Sequence, residues 1–143
     1  MNSVKSLNKW ANRHTYLPLD LFRMAFGVFL FMKGVYFITN IQYLVDLMSP
    51  FDKIEGGMWG MFMLHYIAPA HMIGGILIFF GLLTRWAILS QLPILLCAIV
   101  INFMGDMLQQ NLLVAILAFA ACLFFLFYGS GKNSADYFFK MEK

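Results

Sequence analysis

The chain has 143 residues, 62% of them hydrophobic and only 12% charged, with a net charge of +3. Soluble domains carry about 25% charged residues, so the polar shell that a soluble domain of this length needs is missing. The basic residues gather at the chain ends and the aromatic residues lie inside apolar runs, which argues against a nucleic-acid partner and leaves one membrane domain over residues 1–143.

Residues 1–14 hold Lys5, Lys9 and Arg13, no acid, and a tryptophan at position 10. A short interfacial helix fits them. No small-residue cleavage pattern follows, and Arg23 interrupts the first apolar run early, so no cleavable signal peptide is expected. The first membrane helix is placed at 17–41, with Pro18 in its first turn, where a missing N–H matters least. Asp20, Arg23 and Lys33 interrupt it. Arg23 is about 9 Å from its start and Lys33 about 12 Å from its end, so each can snorkel to its own interface. Asp20 and Arg23, three apart, can pair on one face, while Gly27 and Gly34 permit close approach of another helix.

The first loop predicts a short amphipathic interfacial helix, because Leu44, Leu47, Met48 and Phe51 recur at helical spacing among Asp46, Asp52, Lys53 and Glu55. The second membrane helix, 61–83, carries no formal charge over twenty-three residues, enough to cross a core of about 30 Å. It also carries His65, His71, Pro69, Gly74 and Gly75, none of which a lipid-facing anchor needs. A tight turn at Thr84 and Arg85 leads to the third helix, 86–104, with Pro93 in its middle, and the fourth follows at 108–128 with Gly129 as its stop. The fold class is all-α, a four-helix transmembrane bundle. Basic residues on the side of both termini and of Arg85 place the termini in the cytoplasm of a bacterial inner membrane.

The run Gly74-Gly75, then an apolar stretch, then Gly81, Leu82, Thr84 and Arg85, preceded in the first helix by Arg23, Gly27 and Gly34, resembles the DoxX family of small four-helix integral membrane proteins. The resemblance covers roughly residues 17–128. It implies a functionally mixed family whose name derives from a subunit similar to that of a thiosulfate:quinone oxidoreductase, and so suggests redox or quinone chemistry. Many relatives carry an acidic residue a few positions before the glycine pair, where this chain has His71, and a basic residue slightly beyond the position of Lys33.

Two groups of residues are candidates for chemistry. His71, near mid-membrane, can donate to a carbonyl and accept from a hydroxyl, as a proton-handling or quinone-facing group would. Lys33, His65, Asn102 and Asp106 reach similar depth at the opposite end from the termini. These four, which Tyr36, Tyr66 or Gln109 can join, form either an internally satisfied set, with Lys33 paired to Asp106, or a ligand pocket, unless Lys33 simply snorkels. His65 and His71 are six residues apart, about 240° around an ideal helix, and do not make a metal site together; no metal is expected. Cys97 and Cys122 read as packing residues. Arg23, Asp20, Gly27, Gly34, Gly74, Gly75, Gly81 and Arg85 read as structural. No nucleophilic triad can be assembled. The readings that remain are an accessory subunit of a membrane complex with a protein partner or second copy, a quinone-interacting redox protein, and a small-molecule or lipid transporter.

Overall fold

The computed structural model describes residues 17–47, 58–104, 109–131 and 133–139, and every regular element among them is helical. In chain order they are α1 (Leu17–Thr39), α2 (Met58–Phe80), α3 (Thr84–Met104), α4 (Gln109–Tyr128) and the short α5 (Ala135–Phe138). Residues 41–47 form a further helical segment after α1. Three stretches are long and apolar enough to cross a membrane, Leu17–Thr39, Thr84–Phe103 and Gln110–Tyr128, and His65–Phe80 is a shorter apolar helix.

The helices pack with the polarity of a membrane protein. Large apolar side chains such as Met32, Ile73, Phe80, Trp86, Phe103 and Phe127 face outward, whereas Asp20, Arg23, His71, Gln91 and Asn102 are buried. In water this arrangement would be inverted, because unpaired apolar surface and buried charge are both unfavourable there. In lipid the outward face needs no cover.

The most extensive contact in the bundle, between α1 and α2, rests on close backbone approach. A Cβ at Gly27 would lie 2.6 Å from the Phe79 nitrogen and 2.7 Å from the Gly75 carbonyl oxygen, and one at Gly75 would meet the Gly27 oxygen at 2.6 Å. Only hydrogen fits where two backbones touch, and it lets them gain dispersion contacts over a long seam. α4 contributes the small residues Ala118, Ala121 and Cys122 to a core that includes Phe26, Leu30, Ile78, Ile88 and Phe125. A second cluster, Leu44, Ile67, Ile94 and Ile101, sits where the 41–47 segment folds onto α2 and α3.

Helix ends differ from the sequence expectation for identifiable reasons. α1 closes at Thr39, not at 41. The Thr39 hydroxyl lies 3.1 Å from both the Val35 and Tyr36 carbonyl oxygens, and the Asn40 amide donates to Tyr36. Side chains thus satisfy the last carbonyls, and the chain restarts as the 41–47 segment. α2 closes at Phe80, not at 83. Gly81 (φ 67°) sits in the left-handed region, with its N–H donating to Ile78 and that of Leu82 to Leu77. This pair of bonds is the Schellman ending, which favours glycine at that position. Thr84 consequently opens α3 instead of belonging to the turn. The remainder of the first loop, including Pro50 and Phe51, and the N-terminal segment 1–14 lie outside the described residues.

Prolines inside α2 and α3 each remove one backbone donor. Polar side chains near them tie the two helices together. Gln91 donates to the Ala70 carbonyl at 2.7 Å, and the Tyr66 hydroxyl to the Ser90 carbonyl at 3.3 Å. Gly74 leaves the space that the Gln91 amide fills.

Candidate functional site

Two polar assemblies lie within the bundle, one at each end of α1. The first gathers the start of α1, the α2–α3 turn and the C-terminal segment. Arg23, 1% exposed, stands 3.6 Å from the buried carboxylate of Asp20 and donates to the Asn133 carbonyl at 3.1 Å. The Asn133 amide donates in turn to Asp20 at 2.7 Å. Asp136 accepts the N–H groups of Leu83 and Thr84 at 2.7 and 3.1 Å, placing a carboxylate at the open N-terminus of α3. Its own N–H donates to the Gly81 carbonyl. Ser134 caps α5 by accepting from Tyr137, and its hydroxyl packs against Ser130 and Gly131. A Cβ on Gly81 would strike Ser134 at 2.5 Å and crowd the Arg23 guanidinium at 3.1 Å. Arg23, Asp20, Asn133 and Asp136 each have a protein partner here, and the assembly works as a clasp.

The second assembly is a cavity of about 90 Å³ whose walls come from α1, the 41–47 segment, α2, α3 and α4. Its polar lining is Lys33, Tyr43, His71, Asn102 and Asn111, set among Phe29, Leu30, Phe37, Leu95 and Ala98. Helical spacing brings the first group in: Lys33 shares a stripe with Phe29, Leu30 and Phe37 along α1. The amine of Lys33 lies 6.0 Å from the Phe29 ring centre and 5.9 Å from that of Tyr36, near the edge of cation–π range. His71 is 4% exposed, its ring 5.8 Å from Phe37, and its Nδ1 has no hydrogen-bond partner among the described residues. A buried polar atom without a partner is unfavourable unless a ligand or water satisfies it. Asn102 spends one amide hydrogen on Ala98, and Asn111 donates to the Tyr43 hydroxyl at 3.0 Å.

Of the five candidate ligand residues, Lys33, His71 and Asn102 line this cavity together. His65 does not: it faces a separate groove between α2 and α3 with Tyr66, Pro69, Ile73, Trp86 and Ser90. The two histidines of α2 thus line different hollows. Asp106, and with it the expected pairing to Lys33, lies outside the described residues. Tyr43 and Asn111 were missed. Asn111 had a visible signal, the last of three consecutive amides, Gln109, Gln110 and Asn111, at the head of an apolar helix, whereas Tyr43 was hidden in the loop. Arg85 is the second residue of α3 and half-buried. Among the described residues no cluster of histidine, cysteine or carboxylate side chains could hold a metal ion. Cys97 and Cys122 are free thiols.

No curated protein and no solved structure shows a significant match to this sequence. A family model does, described as DoxX and covering residues 19–104, which run from the start of α1 through the two glycine contacts, the Gly81 turn and the cavity's α2 and α3 walls. With more than half of its length so matched, the chain is a multi-pass membrane protein that belongs to the DoxX family.

Proposed function

We infer that this protein holds a small lipophilic molecule with an oxygen-bearing head, of the quinone class, in the cavity formed by Lys33, His71 and Asn102. The observation that carries this reading is the buried His71 with its Nδ1 unpartnered at the wall of an apolar cavity. A quinone carbonyl accepts what imidazole N–H, Lys33 and the Tyr43 hydroxyl donate, and its reduced hydroxyl donates to an unprotonated imidazole nitrogen. The residues present therefore fit both oxidation states of such a head. Aromatic walls at Phe29 and Phe37 suit a flat ring.

The four long helices span the membrane as a bundle, with the clasp end in the cytoplasm and the cavity toward the other face. Arg85, which follows Thr84 of the clasp, and the lysines at positions 132, 140 and 143 of the sequence support that orientation, in the inner membrane of a bacterium.

The test is native mass spectrometry of protein released gently from its own membranes, with extraction of retained small molecules. A retained quinone whose occupancy falls at least severalfold in His71→Leu is the expected result. Protein that carries no small molecule in either form would count against the reading. A second reading, an accessory subunit with a protein companion, draws on the outer groove of about 350 Å³ between α2 and α3, where exposed Ile73 and Trp86 flank Gly74. A stoichiometric protein companion without a small molecule in the same spectrum would favour it.

A further inference from the structure

The charge in the cavity says more about the head than its shape does. Lys33 brings an ammonium to walls that are otherwise neutral, and it forms no ion pair with any carboxylate among the described residues. The neighbouring hydrogen bonds leave donors directed elsewhere. Because the Tyr43 hydroxyl already accepts from Asn111, its own proton remains for another acceptor. Asn102 keeps one amide hydrogen beyond its bond to Ala98, and His71 carries at least one ring N–H in any protonation state.

Among the described residues Lys33 meets no counter-charge, only the Phe29 and Tyr36 rings at 6.0 and 5.9 Å, and a neutral carbonyl would add none. An anionic oxygen would compensate the ammonium through a charge-assisted hydrogen bond, roughly twice as strong as a neutral one. Size points the same way. A cavity of about 90 Å³ is smaller than the engineered cavity of about 150 Å³ that accepts benzene. It therefore takes the oxygen-bearing edge of a ring, the part where charge resides, and leaves the rest of the ring in its mouth.

We propose that this cavity binds the anion of a weakly acidic ring compound, a hydroxyquinone or acidic phenol, in preference to its neutral isostere, and that Lys33 sets that preference. The proposal rests on the reading that a lipophilic ring compound occupies the cavity. Lys33 is then a specificity-determining residue, while His71 and the amides bind either form.

The experiment measures binding of hydroxynaphthoquinone, which is anionic at neutral pH, and of its methyl ether, which is neutral, to the full chain in a non-ionic detergent. Detergent alone serves as the partition blank. The anion is expected to bind about tenfold more tightly than the ether, the difference between a charge-assisted and a neutral hydrogen bond. Lys33→Met should abolish the preference, so that the anion binds no more tightly than the ether, while Lys33→Arg, which keeps the charge, should retain it. Equal binding of both compounds by the unaltered protein, or a preference that survives Lys33→Met, overturns the proposal and leaves the parent reading standing. Binding of neither compound overturns both.

Discussion

Asp136 closes the turn at Leu83. Its Oδ1 accepts the Leu83 N–H at 2.7 Å, across fifty-three positions of sequence, while Leu83 holds φ at 48° in the left-handed region. A leucine there is disfavoured by the contact between its Cβ and the backbone. The carboxylate holds the residue in place and at the same time caps α3.

Asp136→Ala should therefore destabilise the protein by about 1.5–3 kcal/mol, the range for hydrogen bonds to a charged group. Leu83→Gly, which removes the backbone conflict but keeps both hydrogen bonds, should change stability by less than about 1 kcal/mol. Thermal unfolding in mild detergent, followed by intrinsic fluorescence, separates the two. Equal losses would show that the turn does not depend on the carboxylate.

The Asp20–Arg23 pair is buried at both ends. Removing one partner of such a pair costs about 3–5 kcal/mol, because the other is left charged and unmatched. Arg23→Met should lose about that much, and adding Asp20→Leu should recover a large part of it. A double-mutant cycle in the same unfolding assay measures the coupling, and additive losses would argue that Asn133 alone satisfies each group.

Gly27→Ala and Gly74→Ala make a contrast. At Gly27 the added methyl meets backbone atoms that cannot step aside, the Phe79 nitrogen and the Gly75 oxygen. A loss of about 2–3 kcal/mol, the upper part of the range for overpacking, is expected. At Gly74 the obstacle is the Gln91 side chain. That variant should be rescued by Gln91→Ala, whereas Gly27→Ala should not respond to Gln91 at all, by the yield of monodisperse protein on size exclusion.

Gln91→Leu should change stability by no more than about 1 kcal/mol. It deletes the bond to the Ala70 carbonyl, but it also removes a buried Oε1 that has no partner among the described residues. Hydrogen bonds between membrane helices average about 0.6 kcal/mol, so the two effects nearly offset. A loss above about 2 kcal/mol would mean that the oxygen is satisfied by ordered water.

Much of this architecture was legible because lipid imposes simple rules. Charge-free length marked the second helix, spaced glycines marked the α1–α2 seam, and the three-residue separation of Asp20 and Arg23 marked their pairing. The clasp was not legible. Nothing in SGKNSADYFF says that Asn133 reaches Asp20 or that Asp136 reaches Leu83, since such pairings depend on where three segments meet in space. In the cavity, Lys33, His71 and Asn102 stood out as polar residues inside apolar helices. Tyr43 looked like any loop aromatic, and its place depends on the 41–47 segment folding back to bury Leu44.

Asn133 joins Asp20 across 113 positions, so the start of the first helix is completed by residues synthesised after all the long helices. Until Asn133 has been made, Asp20 and Arg23 lack the carbonyl and the amide that it supplies to them. A chain cut short before Ser130 would insert all its long helices and still lack the piece that fastens them. Biogenesis of this protein is thus sensitive to the segment after α4 in a way that its hydrophobic segments alone would not reveal, and a stop codon just after α4 should be read as a folding lesion, not a trimmed tail.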